Sequence, residues 1–225
     1  MCFSVEASFA ASGVLIPVGI YCIRSAIQSD RAFVTIAGWP LLFGIQQGCE
    51  GLLWLGIGNL DANLIQPAAL GFLFFSHWLW LFWTPFSALA LEPKQKLRSL
   101  LLAFTIAGFL YGGLLYLPLL FDQSSLMLEI ANGSIHYATE YIFNPYVPKD
   151  FSFWVYGAII LLPLFISSRP NINWLGGLIF VAAIGTYLLY SYAFISVWCF
   201  FAAIVSIYLV FAIRQEVGLG AEATL

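Results

Sequence analysis

Seven apolar runs, each close to the length of a bilayer crossing, leave this chain little freedom in what it can become. They fall at residues 8–27, 34–57, 64–89, 100–120, 151–167, 174–190 and 194–213 of a 225-residue sequence. A helix rises about 1.5 Å per residue, so about 20 apolar residues cross the hydrocarbon core of a membrane. Charged residues are only 8% of the chain, against about 25% in a soluble domain, so it cannot coat a water-facing surface. The expectation is an all-α fold: one seven-helix transmembrane domain over residues 1–225, with the lipid bilayer as its partner. Residues 191–193 must turn back sharply, because the apolar stretch around them is too long for a single span.

Lys and Arg orient such a bundle. In this topology Arg24, Arg31, Lys94, Lys96, Arg98, Arg169 and Arg214 share one side, and Lys149 lies on the other. The N-terminus is therefore expected outside and the C-terminus inside. A net charge of −3 with no basic cluster argues against a nucleic-acid partner. The N-terminal run lacks a basic leader and continues to spanning length, so it reads as a helix and not as a cleaved signal.

The loop over residues 121–150 is expected outside as a cap. Within it two β-prone stretches flank Asn132-Gly133, the pair favoured in a two-residue type I′ turn. A β-hairpin between helices four and five follows. Strand alternation puts His136, Ala138 and Glu140 on one face and Ile135, Tyr137 and Thr139 on the other. The pairs Gly44/Gly48 and Gly108/Gly112 have the spacing that lets helices approach closely. Trp78, Trp80 and Trp83 lie too deep for an interfacial belt and are expected to pack the interior or line a cavity.

Residues 39–58, WPLLFGIQQGCEGLLWLGIG, are the chemically unusual span. An ionisable residue at membrane depth is costly and marks a functional site by default. Glu50 lies roughly 12 Å below the outer end by helix rise, with Gln46 and Gln47 one turn away. His77 of the next span reaches a similar depth and is the nearest candidate partner. His136 from the hairpin, Cys2 from the N-terminal segment and Cys199 near the start of the last span would complete an outer-half site. Cys22 and Cys49 read as apolar fillers. Cys2 and Cys199 are open to three readings: a disulfide, metal thiolates or inert groups.

Glu, His and Cys suit a transition metal such as zinc, which makes Cys2, Glu50, His77, His136 and Cys199 candidate ligands. No CxxC, HExxH or GxSxG spacing accompanies them, and two histidines, one of them in a loop, make haem the weaker option. Three functions follow. The first is a binding site for a metal or small ligand formed by Gln46, Gln47, Glu50 and His77, extending to a metal-dependent hydrolase with Glu50 as ligand or general base. The second is a structural or assembly subunit, in a homo-oligomer or a larger complex. The third is a proton- or cation-coupled transporter, which a polar path through Thr84 and Ser87 would favour.

Four segments carry a likeness to a known family: the opening MCFSVEASFAASGVLIPVG, the run WPLLFGIQQGCEGLLWLGI, Glu92-Pro93 and SVWCFFAA. On these the chain resembles an uncharacterised family of bacterial multi-pass membrane proteins, a domain of unknown function. That resemblance implies a bacterial inner-membrane location and carries no activity. A seven-span layout with an outside N-terminus is also similar to that of membrane-embedded zinc hydrolases of the ceramidase and adiponectin-receptor type. Those proteins have paired histidines near their last span, whereas residues 194–213 contain none.

Overall fold

The computed structural model describes residues 4–122, 126–139 and 149–212. Seven long helices and one hairpin make up most of them. The helices are α1 (Val5–Ser29), α2 (Trp39–Asn59), α3 (Ala62–Leu91), α4 (Gln95–Phe121), α5 (Lys149–Ile166), α6 (Pro170–Tyr190) and α7 (Phe194–Ser206). By length and composition, four helical stretches are apolar enough to cross a membrane: Val5–Ser29, Ala62–Leu91, Gln95–Phe121 and Pro170–Ala212. Phe151–Ile166 is a shorter apolar helix. Helix α2 is not among the four, and Gln46, Gln47 and Glu50 lower its apolarity.

Local chemistry sets the breaks. Ser4 caps α1, its hydroxyl accepting from the Ala7 amide at 3.2 Å. Asp30 caps a short 3-10 turn and is followed by a single helical turn, Val34–Ala37, so the second apolar run is broken at Gly38. Leu60 closes α2 in the left-handed region (φ 54°), and Asp61 then caps α3. The long run 170–212 folds back on itself at Ser191–Ala193. Trp198 donates its indole N–H to the Ile179 carbonyl at 3.4 Å. In one straight helix those residues would stand roughly 28 Å apart.

Helix α3 departs from α geometry over Phe74–Leu79, where a π-helical stretch widens the turn. Further along it, Pro85 has no N–H to donate to the Leu81 carbonyl one turn back. That carbonyl lies against Gly108 of α4, where any Cβ would collide with it. Gly44 likewise admits the Ile16 side chain of α1, 2.8 Å from where its Cβ would stand. Both expected small-residue pairs therefore serve close helix packing. Outward-facing positions on α4 and α6, such as Leu110, Leu114, Val181 and Leu188, are exposed and apolar, as a lipid-facing surface requires.

Strands β1 (Leu126–Ala131) and β2 (Ser134–Thr139) pair antiparallel, Ile130 opposite Ile135. The turn residues Asn132 and Gly133 both have positive φ, 47° and 73°, as a type I′ turn demands. Ile135 and Tyr137 are buried, and the Tyr137 ring stacks on Phe72 of α3 at 4.9 Å. The opposite face carries His136.

At the other end of the bundle the chain is tied shut. Glu92 precedes a proline and is extended, ending α3. Its carboxylate is buried and accepts from the Ser168 amide (2.8 Å), the Ser168 hydroxyl (2.6 Å), the Ser167 hydroxyl (3.3 Å) and the Lys94 amide (3.1 Å). Burial alone pushes its pKa up. The hydrogen bonds from Ser168, Lys94 and Ser167 outweigh that and hold the carboxyl below the usual carboxylate range. Arg98 donates to the Leu89 and Glu92 carbonyls, Arg169 to that of Leu91, and Asn173 to those of Leu164, Phe165 and Ser167. The orphan carbonyls ending α3 and α5 are thereby satisfied.

Candidate polar site inside the helix bundle

Helix α2 buries Gln46, Gln47 and Glu50 completely. Successive residues on a helix turn by about 100°, which places Glu50 angularly between the two glutamines. Gln46 faces α3, where the Trp80 indole N–H donates to its Oε1 at 2.7 Å. Trp80 is fixed in turn by stacking on Phe43, ring centroids 3.9 Å apart. Glu50 faces α7, and Ser196 donates its hydroxyl to Oε1 at 2.5 Å. The short bond and complete burial of both residues join elements 146 positions apart in the chain.

Gln47 is different. Neither Oε1 nor Nε2 of its amide has a hydrogen-bond partner, although both are sealed from solvent. A buried unsatisfied polar group costs about 1–3 kcal/mol, and native structures rarely keep one without a reason. The buried Ser8 hydroxyl of α1 is in the same condition, as is the Trp54 indole N–H two turns beyond Gln47. Contacts of Gly48 with Ser12 and of Gly51 with Phe9 fix the α1–α2 register and bring Ser8 level with this stretch. Gln47, Glu50 and Trp54 fall on one face of α2 by helix periodicity.

His77 is buried in the π-helical turn of α3, its Nδ1 2.9 Å from the Ser76 hydroxyl. It lines a cavity of about 150 Å³ together with Tyr111, Ser152, Tyr156, Trp198 and Cys199. Cys199 lies beside Gln46 and within electrostatic range of Glu50, so one residue borders both the polar layer and the cavity. A smaller chamber of about 30 Å³ shares Tyr156, Trp198 and Cys199 and continues to Thr84. Ser87, one turn further, accepts from the Trp39 indole (3.0 Å) and donates to the Trp83 carbonyl (2.8 Å). Of the three tryptophans of α3, Trp80 is buried as expected, while Trp78 and Trp83 are half-buried; each places its indole N–H on a named acceptor.

The structure places Cys199 beside Gln46 and near Glu50, and on the lining of one cavity with His77; Gln47 adjoins Gln46 along α2. His136 is apart from them: it sits on the outward face of the hairpin, its Nδ1 3.4 Å from Glu129. The two-residue periodicity that buries Ile135 and Tyr137 directs it there. Cys2 and Glu140 lie outside the described residues. Among the described residues no group of three or more His, Cys, Asp or Glu side chains converges as a metal would need. Sequence reasoning missed Ser8, Ser196 and Tyr156. The signal for Ser196 was available, as a small polar residue within the apolar run ISVWCFFAA; Tyr156 carried no pattern that could mark it.

No curated protein and no solved structure matches this chain. Residues 1–222 match the model of a family described as "Family of unknown function (DUF6629)". The chain belongs to that family.

Proposed function

We propose that this is a seven-span integral membrane protein that holds a small polar organic ligand in its outer half, against Gln47 and Glu50. The observation that carries the reading is the Gln47 amide, fully buried with both polar atoms unpartnered, one turn from a carboxylate. A hydroxyl-bearing molecule, which both donates and accepts, would satisfy the Gln47 amide beside Glu50. The outside N-terminus is supported by the end of the bundle that gathers Arg98 and Arg169 around Glu92, with Arg169 over the Phe33 ring at 5.9 Å. By the positive-inside rule that end faces the cytoplasm, in the bacterial inner membrane that the family resemblance implies.

The same closure favours a one-sided site over a transport path. Beyond Thr84 the hydroxyl of Ser87 is already committed in both directions, and the Glu92 network seals the end below it. Metal-dependent hydrolysis has no converged ligand set to build on among the described residues.

The test is mass spectrometry of small molecules released when detergent-purified protein is denatured, with elemental analysis of the same sample. Wild type should release one species in near-stoichiometric amount, and Gln47→Leu and Glu50→Gln should lose it while still melting cooperatively. Equal small-molecule content in all three proteins would sink the reading.

A further inference from the structure

One end of the bundle carries more positive charge than its own carboxylates neutralise. Arg31 lies in the 3-10 turn after α1, Lys94, Lys96 and Arg98 open α4, and Arg169 precedes α6. Hydrogen bonds gather them. Arg98 Nη1 donates to the Leu89 carbonyl at 3.2 Å and the Glu92 carbonyl at 3.1 Å, and Arg169 Nε donates to the Leu91 carbonyl at 3.2 Å. Both guanidiniums therefore sit at the last turn of α3. The Lys94 amide reaches Glu92 Oε1 at 3.1 Å. Arg169 also lies over the Phe33 ring at 5.9 Å, which puts Arg31, in the same 3-10 turn as Phe33, at this end.

Two carboxylates share the end, and both are engaged by hydrogen bonds from hydroxyls and amides. Glu92 is buried beneath its bonds from Ser167, Ser168 and Lys94, and Asp30 accepts from the Ala32 amide at 2.9 Å. Among the described residues His136 and Glu129 of the hairpin make the one ion pair, so none of the five cations is paired with a carboxylate. Like charges gathered at the edge of a low-dielectric bundle repel one another, and an anion from outside would relieve that. Arg31, Lys94 and Lys96 are exposed, and Arg98 and Arg169 are half-buried. The two arginines are held in place by backbone carbonyls that take at most two of the five N–H donors on each. A guanidinium fork ordered in this way suits the paired oxygens of a phosphate.

Depth selects the source of the anion. Leu100, one turn beyond Lys96 on α4, is exposed and apolar, as is Ile27 near the end of α1. Lipid-facing surface therefore begins directly beside the cations, which lie at the level of the headgroups. We infer that this end is a docking surface for an anionic phospholipid, its phosphodiester met by Lys94, Lys96 and the two arginines and its acyl chains lying along α4. The inference requires the bundle to lie in a membrane and is independent of what Gln47 holds. The positive-inside rule concerns insertion alone and gives the folded protein no preference between headgroups.

Native mass spectrometry of the detergent-purified full chain tests this, with equal amounts of dioleoyl phosphatidylglycerol and dioleoyl phosphatidylcholine added. Phosphatidylglycerol should be retained in preference by about tenfold, and the excess should shrink as ammonium acetate is raised. Lys94→Gln with Lys96→Gln should lower phosphatidylglycerol affinity about fivefold per cation and leave phosphatidylcholine unchanged. Arg31→Gln, outside the Glu92 network, serves in case that pair fails to fold. Lys149→Gln removes the same unit charge at the start of α5, the opposite end of the bundle, and should change nothing. Equal retention of the two lipids, or an equal loss per charge from Lys149→Gln, would overturn the inference. So would displacement of the lipid by an equal concentration of inorganic phosphate, which would mean a site for a free anion. Gln47→Leu should keep the lipid preference, so failure of this inference and failure of the Gln47 reading are told apart.

Discussion

Among the described residues two carboxylates lie buried in this bundle, and their surroundings have been built to opposite ends. Glu92 closes the cytoplasmic end of the proposed topology with hydrogen bonds from two hydroxyls and two amides, and the Arg98 and Arg169 side chains occupy the carbonyls around it. Glu50 is held by Ser196 within a layer whose next residue on the same helix face, Gln47, keeps both amide atoms unpartnered. The first arrangement is complete and joins the ends of α3, α4, α5 and α6. The second is incomplete in protein terms, and a membrane protein has no bulk water at that depth to finish it. Full satisfaction marks a structural device; a sealed but unmet amide marks a place for something else.

Substitutions can break or sharpen that contrast. Glu92→Ala removes four accepted hydrogen bonds at once and should cost about 3 kcal/mol, read as a lowered thermal unfolding midpoint in detergent. Ser196→Ala removes a buried donor to Glu50 and should cost about 2 kcal/mol. Glu50→Gln keeps an oxygen for Ser196, so its stability should change by less than about 1 kcal/mol while the co-purifying ligand is lost. Acid should act on the Glu92 end. Its folded pKa is depressed, so its contribution is fully present above the unfolded carboxylate range and is lost as pH falls through the folded value. Melting midpoints should decline below that range in wild type and decline less in Glu92→Gln.

Much of the fold could be read from the chain because membrane burial writes long, uniform signals. The four stretches apolar enough to span, the reversal at Ser191–Ala193 and the Asn132-Gly133 hairpin each follow from run length or a turn rule. The break at Gly38 was harder to read: apolarity continues through it, and its one signal is Pro40 in the first turn of α2. Glu50 and the glutamines stood out as polar residues in an apolar span. Their partners did not, since Ser8 and Ser196 are common in membrane helices and acquire meaning only through packing. His136 shows the same limit from the other side: its residue type suggested a ligand, while strand alternation had already turned it outward.

The contrast comes down to whether Gln47 is there to pack or to bind. Thermal unfolding of Gln47→Leu against wild type, both stripped of co-purifying small molecules, measures this directly. If the amide waits for a ligand, replacing it with an apolar side chain of similar size removes a buried unsatisfied group and raises stability by about 1–2 kcal/mol. A lowered midpoint would mean that Gln47 is already serving the fold, and the proposed site would go with it.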